Sequence, residues 1–407
     1  MALRYNPFQP NKIIAPGMFV GRVEEIHAIE QCLFQTKFEN PQHFLIEGER
    51  GIGKSSLLVL VDQFATGEID APRGGKFNFL SLGIDMAGVK SEGDIIRSIA
   101  RRLRQEMSRR DQLKTTARGV WDFVSKWEVA GVRFHSDQGF DVDEAREELI
   151  RNIVRLMQSA ANSLDGVLVL VDEADAAPAE AGLGEFAKLF TERLEREGCA
   201  RLLLGLAGLP TTVGKLRASH DSSPRLFQIL RLDPLEPAER IVVIEKALDV
   251  AREKNGFATP ITGDAATLLA DMSEGYPHFL QQFGHCAFEV DSDDTIDVND
   301  VTRGANDPNG ALDQLGKKYF NEMYYDKIGS HDYRKVLNVM AEFGDDWVSR
   351  QDIIKQSGLA MTTINNALRA LRDREIIVPD EARKGFYRLP TKSFAAWIGA
   401  SRSPGEH

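Results

Sequence analysis

Cysteine is scarce: among 407 residues only Cys32, Cys199 and Cys286 carry a thiol, and they lie far apart. Scattered thiols of this kind make neither a disulfide framework nor a zinc site, whose ligands come in closely spaced pairs. Small core residues in a reducing compartment suit them better, so a cytoplasmic location is expected. Long apolar runs are also missing. No stretch nears the roughly eighteen residues of a membrane-spanning helix. The opening MALRYNPFQP lacks the basic-then-apolar order of a secretory signal, so neither a membrane partner nor export is expected. Internal repeats and low-complexity tracts are absent too. Only residues 398–407, ending in GASRSPGEH, read as a disordered tail.

Positive charge is in deficit, with 50 Lys and Arg against 61 Asp and Glu, a net charge of −11. An acidic body excludes a wholly basic nucleic-acid coat but leaves room for one basic module. From Arg334 to Lys392 the balance reverses, with 11 Lys and Arg against 8 Asp and Glu. That excess permits DNA contact without requiring it.

What the chain does have is glycine in a telling order. The apolar HFLIEG reads as a strand, and KSSLLVLVDQF as a helix. Between them Gly48, Gly51, Ile52, Gly53, Lys54, Ser55 and Ser56 fit the spacing G-x-x-x-x-G-K-[ST] in its required strand–loop–helix setting. Glycines let backbone N–H groups approach phosphate oxygens at a helix start. Lys54 then reaches the β- and γ-phosphates, and the Ser55 hydroxyl is placed for Mg²⁺. Asp172 lies 118 positions after Lys54, at the end of the apolar run VLVLV. An acid at the C-terminal end of a buried parallel strand lies where open α/β sheets bind ligands. Asp172 is therefore expected to orient Mg²⁺ and Glu173 to polarise an attacking water, which implies hydrolysis of ATP to ADP rather than binding alone.

These motifs resemble the AAA+ and STAND side of the P-loop ATPases, particularly the origin-recognition/Cdc6-like ATPases, over roughly Phe19 to Val290. The resemblance implies an α/β fold: a three-layer core with a parallel sheet, a small helical lid and a C-terminal winged-helix domain. Residues 1–232 would form the core, with 108–140 inserted, 233–308 the lid, and 309–397 a linker helix and the winged helix. MFVGRVEEI looks like the family's F-x-G-R-x-x-E box, so Phe19, Val20, Gly21 and Arg22 would enclose the adenine. FNFLSLGIDM would be the second strand. ARLLLGLAGLP would be the fourth, next to the phosphate-loop strand, but where relatives carry a polar sensor it has Ala207 and Gly208, with Thr211 and Thr212 later; that sensor stays unassigned. Arg225 is the candidate arginine finger for a neighbouring copy in a nucleotide-dependent homo-oligomer, with Arg217 as alternative. GYPHFL resembles the G-x-P element of the lid, placing Pro277 over the base and His278 in the second sensor's role.

Two further stretches bear on partners. RRLRQEMSRRDQLK carries Arg101, Arg102, Arg104, Arg109, Arg110 and Lys114, which suit either a DNA track or a solvated helix face. Trp121 and Trp127 in the inserted segment suit core packing, or a protein or DNA partner. Beyond a bridging helix in DQLGKKYFNEMYYDKI, three helices follow, the third at Thr363 to Leu371 with Thr362 or Thr363 as its cap. The stretch from Ile376 to Ile398 alternates like a hairpin wing. This resembles a winged helix, whose second motif helix presents Thr362, Thr363, Asn365, Asn366 and Arg369 to duplex DNA, with Lys384 at the wing tip. The leading expectation is an ATPase that couples nucleotide state to assembly on duplex DNA. The alternative is a STAND-type regulatory switch whose winged helix packs on the core.

Overall fold

The computed structural model describes residues 4–12, 19–110, 113, 141–374, 376–380 and 382–401. Strand β1 (His43–Gly48) is buried at every residue, as a strand inside a parallel sheet must be. It lies between β4 (Leu202–Gly208) and β5 (Phe227–Leu232). Beyond β4 come β3 (Gly166–Asp172) and β2 (Phe79–Asp85), giving the order β2-β3-β4-β1-β5 with every pair parallel. The expected position of the fourth strand beside the phosphate-loop strand is met.

Two compact units divide the chain: Gly21–Asp233, and Met1–Val20 together with Pro234–His407. The first holds the sheet and helices α1 (Val23–Lys37), α2 (Lys54–Thr66), α3 (Glu92–Arg109), α4 (Val142–Ser159), α5 (Leu183–Arg196) and α6 (Thr212–Ser219). Its apolar core joins the strand residues Leu82, Val169 and Leu204 to the helix residues Ile99, Ile153 and Phe190. Periodicity explains the helix contribution. On α3, Ile95, Ile96, Ile99, Leu103 and Met107 recur at helical spacing and are buried, while Ser91 and Asp94 cap its start reciprocally.

The second unit contains α7 (Pro237–Asn255), α8 (Gly263–Met272), α9 (Pro277–Val290) and α10 (Val298–Asn306). After them α11 (Ala311–Leu315) runs into two π-helical turns, Gly316–Phe320 and Glu322–Asp326, where a regular bridging helix was expected. The C-terminal elements are α12 (His331–Ala341), β6 (Val348–Ser349), α13 (Arg350–Ser357), α14 (Met361–Asp373), β7 (Val378–Pro379), β8 (Phe386–Arg388) and α15 (Lys392–Ser401). The three short strands make an antiparallel sheet in the order β6-β8-β7. One apolar cluster runs from Ile244 and Phe283 of the lid helices to Leu371 and Trp397, so lid and C-terminal elements share a core.

Several expectations change. Residues near the N-terminus, assigned to the 1–232 core, pack instead on α9. Arg4 binds the Asp291 carboxylate at 2.6 Å and lies over the Phe288 ring, and Phe8 is fully buried in the lid cluster. Helix α14 begins at Met361, two residues before the expected start. Ala360 is its cap residue, and neither Thr362 nor Thr363 caps it, because both lie within its first turn. The wing-like pattern stops at Arg388. Phe394, Trp397 and Ile398 recur at three and four residues and are buried, which is a helical period. That burial also carries α15 through Ser401, into the stretch expected to be disordered.

A pH prediction follows from His43. Its Nδ1 accepts the Leu204 N–H at 3.1 Å inside the sheet, and burial pushes its pKa down to about 4. A histidine with a lowered folded pKa gives stability that is present above its unfolded value, about 6.5, and lost as pH falls from there towards 4. In His43→Asn the amide oxygen can take the same N–H without titrating. Melting temperature should fall less between pH 7 and pH 5 in the variant than in the wild type. Equal falls would show that His43 is not the responsible group.

Candidate functional site

The loop between β1 and α2 is shaped by its glycines. Gly51 and Gly53 have φ of 79° and 103°, in the left-handed region that side chains disfavour. Gly53 is the N-cap of α2, and no side-chain cap hydrogen bond is made at that helix start. Ile52 is buried and anchors the loop from below. The Lys54 ammonium donates to the carbonyls of Gly48 at 2.8 Å and Glu49 at 2.9 Å, folding back over the loop. Burial pulls its pKa below the ordinary lysine value, opposed by the charges of Asp175, Asp172 and Glu49. Uncapped N–H groups beside a partly desolvated ammonium make a donor set that fits phosphate oxygens. Ser55 and Ser56 stand in the first turn of α2, half-buried.

Acids gather at the neighbouring strand ends. Asp172 closes β3 directly opposite Asp85 at the end of β2. Glu173 follows with φ of 50°, an uncommon conformation for a residue with a side chain. Its N–H donates to Asp172 Oδ1 at 2.9 Å, and the next N–H, of Ala174, donates to the Ala207 carbonyl at 2.9 Å. Local desolvation, then the charges of Asp85, Asp172 and Asp175, push the Glu173 carboxyl above the usual glutamate value. Among the described residues, no group of three or more His, Cys, Asp or Glu is arranged to hold a metal by itself. Mg²⁺ bound with phosphates needs fewer protein ligands because it retains waters, and a Ser55 hydroxyl and an Asp172 carboxylate are the oxygen donors it prefers. Sequence reasoning missed Asp85 and Asp175. The signal was present: GID and VLVLVD end neighbouring strands alike, and Asp175 is the second aspartate of DEAD.

Other expected residues are placed less uniformly. The Phe19–Arg22 box is split between the two units after Val20. The Phe19 carbonyl accepts Lys246 Nζ at 3.3 Å and Val20 packs on the lid cluster. Gly21 and Arg22 adopt left-handed backbone at the start of α1, and the Arg22 guanidinium bonds the Asp233 carbonyl. Arg225 is exposed in a short 3₁₀ turn (Ser223–Leu226), and Arg217 is exposed on α6. Pro277 opens α9. His278 is held neutral: burial and then Lys318 push its pKa down to about 4, and its ring meets Tyr319 edge-on at 5.2 Å. A neutral ring is poorly suited to the charged sensor role the resemblance implies.

In the C-terminal elements Thr362, Asn365, Asn366, Arg369 and Lys384 are exposed and Thr363 is half-buried. Arg369 lies 3.8 Å from Asp373 of its own helix. The Asn365 carbonyl oxygen accepts from Arg350 at 3.3 Å, a residue sequence reasoning did not single out. On α3, Arg102 and Arg109 share Glu106 at 3.2 and 2.9 Å, while Arg110 donates to the Phe79 carbonyl at 2.9 Å. That pairing favours a solvated face and a strand anchor over a DNA track. Lys114, Trp121 and Trp127 lie outside the described residues, as do 111–112 and 114–140 of the inserted segment.

No family model matches the chain. An uncharacterised HTH-type transcriptional regulator of Methanocaldococcus jannaschii is 24% identical over 286 residues, which is 68% of this chain and 65% of that protein. The match therefore spans less than two thirds of the relative's length. Among solved structures, the Walker-type ATPase of Pyrococcus abyssi aligns with a TM-score of 0.59 at 15% identity, over 97% of this chain and 99% of that one. The ORC2 protein of Aeropyrum pernix, solved as ADPNP-ADP complexes, aligns with a TM-score of 0.63 at 14% identity, over 98% and 96%. At these identities the likeness establishes architecture alone: the chain shares the fold of these two proteins.

Proposed function

We propose that this chain binds ATP with Mg²⁺, hydrolyses it, and uses the nucleotide state to control its assembly on duplex DNA. The observation that carries the hydrolytic reading is the sheet register, which sets Lys54, folded back over the loop that leaves β1, one strand away from Glu173, which follows β3. Lys54 and the first-turn N–H groups of α2 bind the β- and γ-phosphates. Ser55 and Asp172 hold Mg²⁺, which neutralises phosphate charge when bound. Glu173 takes a proton from water as that water's oxygen bonds to the γ-phosphorus. The bond from that phosphorus to the β–γ bridging oxygen breaks, leaving ADP and phosphate. Nucleotide binding gains support from a fold neighbour solved with ADPNP and ADP. Phe19 to Arg22 and Pro277 are assigned to the adenine by resemblance, and Arg225 to the γ-phosphate of a second copy.

The DNA reading rests on the C-terminal elements. Helices α12, α13 and α14 with the β6-β8-β7 sheet have the element order of a winged helix, and α14 exposes Asn365, Asn366 and Arg369. A partial relative is named as an HTH-type transcriptional regulator. The fold neighbours lend no support to the alternative, a regulatory switch whose C-terminal module locks the core. In the proposed reading the protein works in the cytoplasm.

ATP turnover with and without duplex DNA tests both halves. Glu173→Gln should lower kcat by about 10²-fold or more while nucleotide still binds, the loss usual for a general base. Turnover equal to wild type would remove Glu173 from the chemistry. Duplex DNA should be retained by the full chain with a steep salt dependence, and Arg369→Ala with Lys384→Ala should weaken it. Retention unchanged in that double variant would displace α14 and the wing as the DNA surface. Gly53→Ala, forced to φ near 103°, should cost about 1–3 kcal/mol of stability in denaturant titration and weaken nucleotide binding. Unaltered binding and stability would show that the loop tolerates a side chain there.

A further inference from the structure

The end of β4 has no polar side chain, and the structure shows why none can stand there. A Cβ added at Gly208 would overlap the Thr212 hydroxyl and approach Asp175 Oδ1 to 3.1 Å and the Asp175 nitrogen to 3.2 Å. Thr212 is wholly buried, and its hydroxyl donates to the Leu209 carbonyl at 2.7 Å. Asp175 Oδ1 accepts the Leu209 N–H at 2.9 Å. From the other side, Lys215 of α6 donates to the carbonyls of Asp175 and Ala177. The space a β4 side chain would fill is thus taken by groups delivered from the β3 end and from α6.

We propose that Asp175 is a positioning residue for ATP hydrolysis, holding in place the turn that displays Glu173. The role rests on the hydrolysis reading above. Glu173 sits in left-handed backbone, a conformation that persists only where its surroundings impose it. Three ties follow it within two residues: Ala174 N–H to the Ala207 carbonyl, the Asp175 carboxylate to the Leu209 N–H, and Lys215 to the Asp175 carbonyl. All three bind the turn to β4 or to the segment after it. Asp175 also bears on Lys54, as the largest of the charges acting on that ammonium. A hydrogen-bonding role and a charge role are therefore separable by substitution.

The test is steady-state hydrolysis of Mg-ATP by the full chain, comparing wild type, Asp175→Ala and Asp175→Asn, with melting curves for each. Asparagine keeps an oxygen for the Leu209 N–H but removes the charge. Asp175→Ala should lower kcat by about 10²-fold at nearly unchanged KM, the scale of a small misplacement of a catalytic group. Asp175→Asn should recover most of that turnover. Wild-type kcat in Asp175→Ala would overturn the role. So would an Asp175→Asn protein as slow as the alanine variant with a raised KM, which would make Asp175 a charge on Lys54 instead. Should Asp175→Ala fail to fold, Lys215→Met removes another tie to the same turn: lowered kcat at constant KM supports the role, and unchanged kcat overturns it. A wild-type chain that binds ATP but never hydrolyses it would instead overturn the hydrolysis reading, and the Asp175 role with it.

Discussion

In a parallel sheet all strands end on the same edge, and here β4 stands between β1 and β3 in a register that puts Glu47 beside Gly208 and Leu206 beside Val171. That register fixes the relation of the phosphate loop, which leaves β1, to the acid pair, which leaves β3. A one-residue slip of β3 would turn every alternate side chain to the other face and carry Asp172 and Glu173 away from the loop. Complete burial of β1 and near-complete burial of β3 resist such a slip, because both faces of each strand are covered. The apolar runs are thus part of the geometry of the candidate site. They set where the polar ends emerge.

Charge on that edge is lopsided. Asp85, Asp172 and Asp175 raise the proton affinity of Glu173 after local desolvation, with Arg50 opposing them less strongly, and Asp175 and Asp172 also act on the Lys54 ammonium. A polyphosphate approaching the same edge adds negative charge to negative charge. Like charges at this range repel strongly in a partly desolvated site. In the proposed reading a divalent cation between them would offset that repulsion, with hydroxyl and carboxylate oxygens as its donors. The raised affinity of Glu173 for a proton also fits a base, since an ordinary carboxylate holds a proton too weakly to take one from water.

Much of this was legible in the sequence, and for identifiable reasons. HFLIEGERGIGKSS and VLVLVDEAD have local signatures, glycine where the backbone must turn and five apolar residues before an acid, so both motifs are readable without knowing the fold. Asp85 was not legible because its importance comes from sheet order: β2 lies next to β3 only in three dimensions. Asp175 was overlooked because its partner, the Leu209 N–H, is a backbone group on another strand's end. The α14 start was misplaced since two threonines look like caps, whereas packing of Ile364, Ala367, Leu368 and Leu371 drew the helix back to Met361. The last helix was misread as wing because the aromatic residues of SFAAWI suit strands in isolation, and only burial against Phe320 and Tyr324 shows their helical period.

In the proposed reading, nucleotide state would have to reach the C-terminal elements across the partition of the chain. Lid helices and C-terminal helices share one apolar cluster, from Ile244 through Phe320 to Trp397, and parting them would expose many fully buried side chains. At roughly 25 cal/mol per Å² of apolar surface, separating such a cluster costs more than a nucleotide's differential binding commonly supplies. Lid and C-terminal elements therefore respond together. The backbone enters and leaves the sheet-bearing unit at Val20–Gly21 and Asp233–Pro234. Within that unit the Arg22 guanidinium grips the Asp233 carbonyl, binding the two crossing segments to each other. Gly21 and Arg22 are both in left-handed conformation at this crossing. The two segments by which the chain crosses between units are thus tied to each other within the sheet-bearing unit.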